Sequence, residues 1–551
     1  MPQRMEGEDG KIVDEPEEIR RLWEKYFRKL LNPHDENNDQ IVEEENNQWK
    51  TNPQNLSWKE MEDAVQKMSS GKAPGPDELS VDMIRGAGPI GLQWLYRILT
   101  CVWRNKTVPE AWKKGDTIPL FKKGSKKSCK NYRGITLMSH CAKILERILL
   151  NRIGTKIESG QSEEQYGFRP GRSTIDHIFA VRQLMEKSWE FNKKKVMLFI
   201  DIEKAYDSVD RQGLWQEMEN FGIEKEYIGI IREMYRGYKC RVRTQCGNTE
   251  WFEVKNGLKQ GSVLSPALFN VVMERMNRQV RERVGERDKK LIFADDMMIW
   301  GETVEDVQIQ LDAWSDTMKK YGLKISKEKS EVMVFGRDEN VDGNIELNGE
   351  PLKIVRSFRY LGSEISADGK INEEISKRLQ KGGNLYQAIK HMVWDRKIPE
   401  KAKILMYKMY YVPIVLYGAE AWTMTEREWS RLQAGEMKFL RAIKGKTRRD
   451  RIRNEDIRRE LNMESMKEKV EKMRLRWFGH VKRMGEDRLP RRMEEMRMEG
   501  RRPRGRPRWR WIDGVVDGML RRGCRWQQVE EERWWEDRGR WRGIVNTQTR
   551  H

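Results

Sequence analysis

Asp295 and Asp296 stand side by side between two apolar runs, residues 291–293 and 297–300, each long enough for one β-strand. No other polar residue interrupts the stretch from Leu291 to Trp300. A β-hairpin with the two acids at its tip satisfies this pattern, because both strands are buried while the carboxylates stay reachable. Adjacent carboxylates repel each other, and burying them is costly unless a cation sits between them. A solvated Asp-Asp turn is the competing reading of this stretch taken alone.

A second acid-tipped strand favours the first reading. Residues 196–200 are all apolar and end in Asp201, followed by Ile202, Glu203, Lys204, Ala205, Tyr206 and Asp207. Neighbouring strands carrying Asp201 and Asp295 would gather hard oxygen ligands from distant parts of the chain. Such a set suits two Mg²⁺ ions, with Mn²⁺ as an alternative, that activate a 3′-hydroxyl and stabilise a pyrophosphate leaving group. That is the chemistry of a polymerase palm.

Phe293-Ala294-Asp295-Asp296, together with the segment from Phe199 to Asp207, resembles the reverse transcriptase of non-LTR (LINE-type) retrotransposons. Further motifs in matching order extend the resemblance from about residue 15 to about residue 515. It implies an α+β, right-hand polymerase with four parts. These are an N-terminal amphipathic helix and flexible linker (1–56), fingers and palm (57–370), a helical thumb (371–470) and a basic C-terminal extension (471–551). It also implies metal binding by Asp201, Asp295 and Asp296, with the main-chain carbonyl of Ile202 adding to the coordination. Tyr206 matches an aromatic beneath the sugar, where a ring clashes with a 2′-hydroxyl and selects deoxynucleotides. Lys329 is the candidate general acid for pyrophosphate departure, a role that contributes roughly 10²–10⁴-fold. A salt-bridged surface lysine is its plainer reading, and Asp207 and Glu203 read as helix-terminus and surface acids.

The remaining motifs fall in order along the chain. Ile19, Leu22, Trp23, Tyr26, Phe27 and Leu30 recur at helical spacing, predicting an amphipathic helix that lies on another element. The Asn- and Glu-rich stretch from Asp35 to Asn55 reads as a linker, and Ser57 with Glu60 as a capping box. Gly71 to Asp77 is a rigid Pro/Gly turn that the resemblance places near template. Residues 118–124 and 131–137 predict a basic-tipped hairpin. In the resembling enzymes this fingertip closes over the nucleotide, with Arg133 clamping the triphosphate and Lys122 or Lys123 adding point charge. Tyr166 to Thr174 offers Arg169 and Arg172 as template phosphate contacts. Gln260-Gly261 matches the pair that positions nucleotide and template without reading base identity. Leu361 and Gly362 fall in a segment that resembles the hairpin gripping the primer end. Helical periodicity from Asn372 to about Lys444 fits a thumb that tracks a duplex through its phosphates.

Residues 501–511 carry six arginines and no acid. There Arg504, Arg506, Arg508, Trp509 and Trp511 suit phosphate pairing and base stacking, a solvated tail being the alternative. His480, with no cysteine partner nearby, reads as packed or solvated.

Lys plus Arg exceed Asp plus Glu by 20 in 551 residues, which a polyanion partner explains. The expected partners are an RNA template, a DNA primer or target, and dNTPs. No 18-residue apolar run exists, so no membrane is expected and the protein reads as soluble and intracellular, acting in the nucleus or cytoplasm. Six cysteines without C-x-x-C spacing argue against a zinc knuckle and for reduced thiols. No endonuclease sequence precedes the polymerase motifs, so a fragment or truncated copy is expected. Two other readings stay open: a catalytically decayed or domesticated nucleic-acid-binding remnant, and a maturase-like intron reverse transcriptase. Oligomeric state is not encoded in any of these features.

Overall fold

The computed structural model describes residues 4–7, 10–32, 54–337, 343–505 and 507–547. The linker expected between Asp35 and Asn55 therefore lies almost wholly outside the described residues, as does Arg506.

Helix α1 (Pro16–Leu31) forms as its periodicity predicts and buries Ile19, Trp23, Phe27 and Leu31. They pack on Tyr132, Tyr238, Val242 and Phe252 of a five-stranded sheet. That sheet is built from β1 (Lys114–Phe121), antiparallel β2 (Tyr132–Met138) and, further along the chain, Lys239–Thr244 parallel to β1. The β1–β2 pair is the predicted fingertip hairpin. Helices α2 (His140–Gly160) and α3 (Thr174–Glu190) follow, then β3 (Lys195–Glu203) and β4 (Lys239–Thr244).

Strand β3 is central in a second sheet, between β5 (Lys290–Phe293) with β6 (Asp296–Gly301) on one side and β7 (Glu331–Phe335) on the other. Its side chains alternate between two cores. Val196, Leu198 and Ile200 join the large core with α2, α4 (Ser265–Val284) and α5 (Val304–Lys320). Met197 and Phe199 join a smaller core with α3 and the hairpin β8 (Ser357–Tyr360)–β9 (Ser363–Ser366). Burial on both faces explains why the strand reads as an unbroken apolar run rather than an alternating one.

Helices α6 (Asn372–Trp394) and α7 (Glu426–Ile443), in the segment expected to be a thumb, build one core with Tyr407, Tyr411, Trp422 and Phe439. The expected boundary at residue 470 falls inside helix α8 (Met466–Lys482), which gives Met466 and Val470 to the thumb core and Leu475, Phe478 and Val481 to the next. The segment beyond is no solvated tail. Helices α9 (Leu489–Glu495), α10 (Trp511–Leu520), α11 (Trp526–Glu531) and α12 (Arg538–Asn546) are present, and the last three share a Trp-rich core with α8 and with Ile178 and Phe179 of α3.

Glu186 of α3 accepts from the Trp511 backbone N–H (2.8 Å) and from Thr423 Oγ1 (3.2 Å), so one carboxyl joins palm, thumb and extension. Burial pushes this carboxyl up to about 7, against hydrogen bonds that favour its charge. The folded form thus holds its proton where the unfolded form has lost it. Stability should fall as pH rises from the ordinary carboxylate range to about 7, with no further loss above. Thermal midpoints measured across that range should show this slope, and Glu186→Gln should flatten it.

Candidate active site

The β5–β6 hairpin has the two acids at its tip. Phe293 pairs with Asp296 across the turn, and Ala294 takes the left-handed conformation at φ +59° that the tight reversal demands. Gly167 closes on this turn: a Cβ there would lie 2.3 Å from the Ala294 nitrogen. Gln165 Oε1 accepts from the N–H groups of both Gly167 and Ala294, and Asn270 donates to the Gly167 carbonyl. The loop before α3 therefore fixes the acid-bearing turn.

The ladder between β3 and β6 sets Asp296 directly across from Asp201. Asp296, not Asp295, is the cross-strand neighbour, and Asp295 sits at the exposed tip. Directly opposed residues hold their Cβ atoms about 4.5–5.5 Å apart, where like charges destabilise the pair. The Asp296 carboxyl is pushed up to about 6, first by loss of water and then by the charges of Asp295 and Asp201. Lys329 Nζ donates to Asp201 Oδ1 at 2.8 Å and relieves part of this repulsion. Ile202 follows with its backbone paired to Ile325 and its side chain buried.

Among the described residues, no group of three His, Cys, Asp or Glu side chains already closes on a metal position. The donor chemistry nonetheless fits a hard divalent ion. Three carboxylates meet at one end of the sheet, where the amine of Lys329 pairs with Asp201, and the set contains no imidazole or thiolate.

Tyr206 and Arg133 lie within electrostatic reach of this acidic turn and of one another. The Tyr206 ring stacks on Phe269 (4.8 Å, 13°) and meets Phe168 edge-on, and its hydroxyl is buried without a hydrogen-bond partner. Burial and the Asp295 charge raise that phenol, while Arg133 of β2 acts the other way. Arg133 is exposed, and its charge also reaches Asp207. Gln260 Nε2 donates to Asp207 Oδ1 at 2.7 Å, and Gly261 (φ +97°) runs so close to β2 that a Cβ would lie 2.5 Å from the Thr136 carbonyl oxygen. Lys122 and Lys123 are exposed just beyond β1. The hairpin tip at Leu361 and Gly362 is held from the thumb, as Tyr417 donates to the Leu361 carbonyl and Arg378 to that of Gly362. Phe358 of this hairpin stacks on Phe199, two residues before Asp201 (4.1 Å, 10°).

The family model for reverse transcriptase (RNA-dependent DNA polymerase) matches residues 122–365, the span holding Arg133, Tyr206, Gln260, Lys329 and all three acids. These residues are a reverse transcriptase domain. Two Drosophila melanogaster proteins are similar to the chain at 24% identity, the probable RNA-directed DNA polymerase from transposon BS over 449 residues and that from mobile element jockey over 446. Each match covers 77% of this chain and 48% of the relative. The Pol polyprotein of the R2DM retrotransposable element is 25% identical over 333 residues, 57% of this chain and 31% of that one. The chain spans about half the length of the first two relatives.

Within and beside the reverse transcriptase domain, several expected nucleic-acid contacts prove to be committed elsewhere. Arg169 is 7% exposed and donates to Glu158 and to the carbonyls of Ser162 and Gln165. Arg172 donates to Glu163 at 2.6 Å and lies over the Tyr166 ring. Both brace the loop that carries Gln165 and Gly167. Trp511 is 1% exposed and donates through Nε1 to the Glu420 carbonyl, so it cannot stack on a base. Arg508 lies 3.5 Å over the Trp189 ring and donates to the Asp368 carbonyl. Of that segment, Arg504 and Trp509 stay exposed. Asp207, read from sequence as a surface acid, is 6% exposed and pushed up to about 6 by burial. Its partner lies 53 residues away, which no local pattern signals. All six cysteines are free: Cys141 and Cys240 are buried, Cys129, Cys246 and Cys524 half-buried, and Cys101 exposed.

Proposed function

We propose that the chain is an RNA-directed DNA polymerase of the non-LTR retrotransposon type, extending a primer 3′-hydroxyl with dNTPs on an RNA template. The observation that carries this reading is the register of β3 on β6, which sets Asp201 against Asp296 with Asp295 at the adjoining turn. Asp201, Asp295 and Asp296, with the Ile202 carbonyl, are the residues that would hold two Mg²⁺ ions. When bound, these ions supply Lewis-acid activation of the 3′-hydroxyl and charge neutralisation at the pyrophosphate.

The chain's own residues do the rest. Arg133, with Lys122 and Lys123, binds the triphosphate from the fingertip. Tyr206 and the Gln260-Gly261 turn orient sugar and base pair, and Leu361-Gly362 carries the primer end. Lys329, already hydrogen-bonded to Asp201, holds the proton destined for the departing pyrophosphate. We place the activity inside the cell, with the nucleus as its point of action, in keeping with free thiols and the basic charge excess. Among the described residues no helix is long and apolar enough to cross a membrane.

Extension of oligo-dT on poly-rA with Mg²⁺ tests the reading directly. dNTPs should be incorporated in preference to rNTPs, and absence of extension would leave a nucleic-acid-binding remnant. Tyr206→Ala should then lower the dNTP-over-rNTP ratio in kcat/KM by roughly 10- to 200-fold, the range set by steric discrimination in a pocket.

A further inference from the structure

Most basic side chains of the C-terminal helices have acidic partners. Arg510 pairs with Asp513, Arg521 with Glu471 and Asp517, Arg533 with Glu536, and Arg540 with Glu532. One face does not follow this pattern. Along α8, Arg476, His480 and Arg483 recur at helical spacing, and along α12, Arg538, Arg542 and Asn546 do the same.

Three observations place these two rows side by side. Arg476 donates to Asn546 Oδ1 at 3.4 Å. Burial first, then the charges of Arg483 and Arg538, depress His480, and burial followed by the charge of Arg538 depresses Arg483. Between them Gly479 admits the Trp541 indole, where a Cβ would lie 2.2 Å from its Nε1. The helices thus run antiparallel, with Arg476 beside Asn546 and Arg483 beside Arg538. Arg476, His480, Arg538 and Arg542 are exposed, Arg483 is half-buried, and among the described residues none of these four arginines makes an ion pair.

We propose that this α8–α12 face is a binding surface for the phosphate backbone of a nucleic-acid double helix. Like charges held together without ion-pair partners are costly in the free protein, and an array of phosphates removes that cost. The flanking aromatics Trp477 and Trp541 are 7% and 3% exposed, so the face offers charge but no platform for stacking unpaired bases. Phosphate contact fixes position without reading sequence, so duplex DNA and an RNA–DNA hybrid are both candidates. The surface is separate from the 501–511 segment, whose Arg508, Arg510 and Trp511 are engaged within the protein.

Fluorescence anisotropy of the full chain, without divalent ions, tests this against labelled duplex DNA, an RNA–DNA hybrid and a single strand of equal length. Replacing Arg476, Arg483, Arg538 and Arg542 by Gln should reduce the slope of log affinity against log salt by roughly 3–4 for a duplex. Arg483 also donates to the Trp535 carbonyl, so the pair R538Q/R542Q, at two exposed positions, serves as the second variant. It should reduce the slope by roughly 2. The two duplex arms identify which helix is held more tightly. An unchanged slope in R538Q/R542Q, or a larger loss for the single strand than for both duplexes, would overturn the proposal. Because no nucleotide is incorporated, the result does not depend on whether the chain polymerises.

Discussion

Asp295→Asn should lower primer extension by roughly 10³-fold or more, which corresponds to about 4 kcal/mol of lost transition-state stabilisation. The side chain lies at the exposed tip of the β5–β6 turn, outside either core, so the fold should survive the change. Asn keeps the shape and one oxygen but loses the charge that would bind a divalent ion. Affinity for primer–template should stay level or rise, since one of three clustered negative charges facing a polyanion is removed. Single-turnover extension paired with template binding in the same buffer measures both halves. Extension at the wild-type rate would refute the catalytic assignment.

Trp511→Ala should destabilise the docked extension by about 3–5 kcal/mol, the usual range for deleting a large buried aromatic. The indole packs edge-on against Phe179 of α3 (4.7 Å) and near Phe478 of α8 (6.3 Å). Its loss also strands the Glu420 carbonyl that Nε1 satisfies. In urea, a new early transition should separate from the main one, and limited proteolysis should cut between α9 and α10. If Trp511 instead served nucleic acid, the variant would bind RNA less well with unchanged stability. That outcome would restore the sequence-based role.

How much was legible in the sequence depended on the range of the signal. The acid-tipped hairpin, the α1 stripe and the β3 run were readable because period and apolar continuity report burial directly. The roles of Arg169 and Arg172 were not, since an arginine bound for Glu158 is indistinguishable in sequence from one bound for a phosphate. Asp207 escaped for the same reason: Gln260 reaches it only once the 256–266 loop has folded back. In the extension, arginine interleaved with tryptophan suggested an open segment for phosphate pairing and base stacking. Its order comes from Trp511, Trp535 and Trp541 meeting one another's neighbours across short helices, a pattern without a local period.

Helix α8 leaves the thumb core and enters the C-terminal core without interruption, and that second core is fastened to α3 through Phe179 and Glu186. The thumb consequently has no free end. To move as a body it must bend a continuous helix or pull Trp511 from its socket.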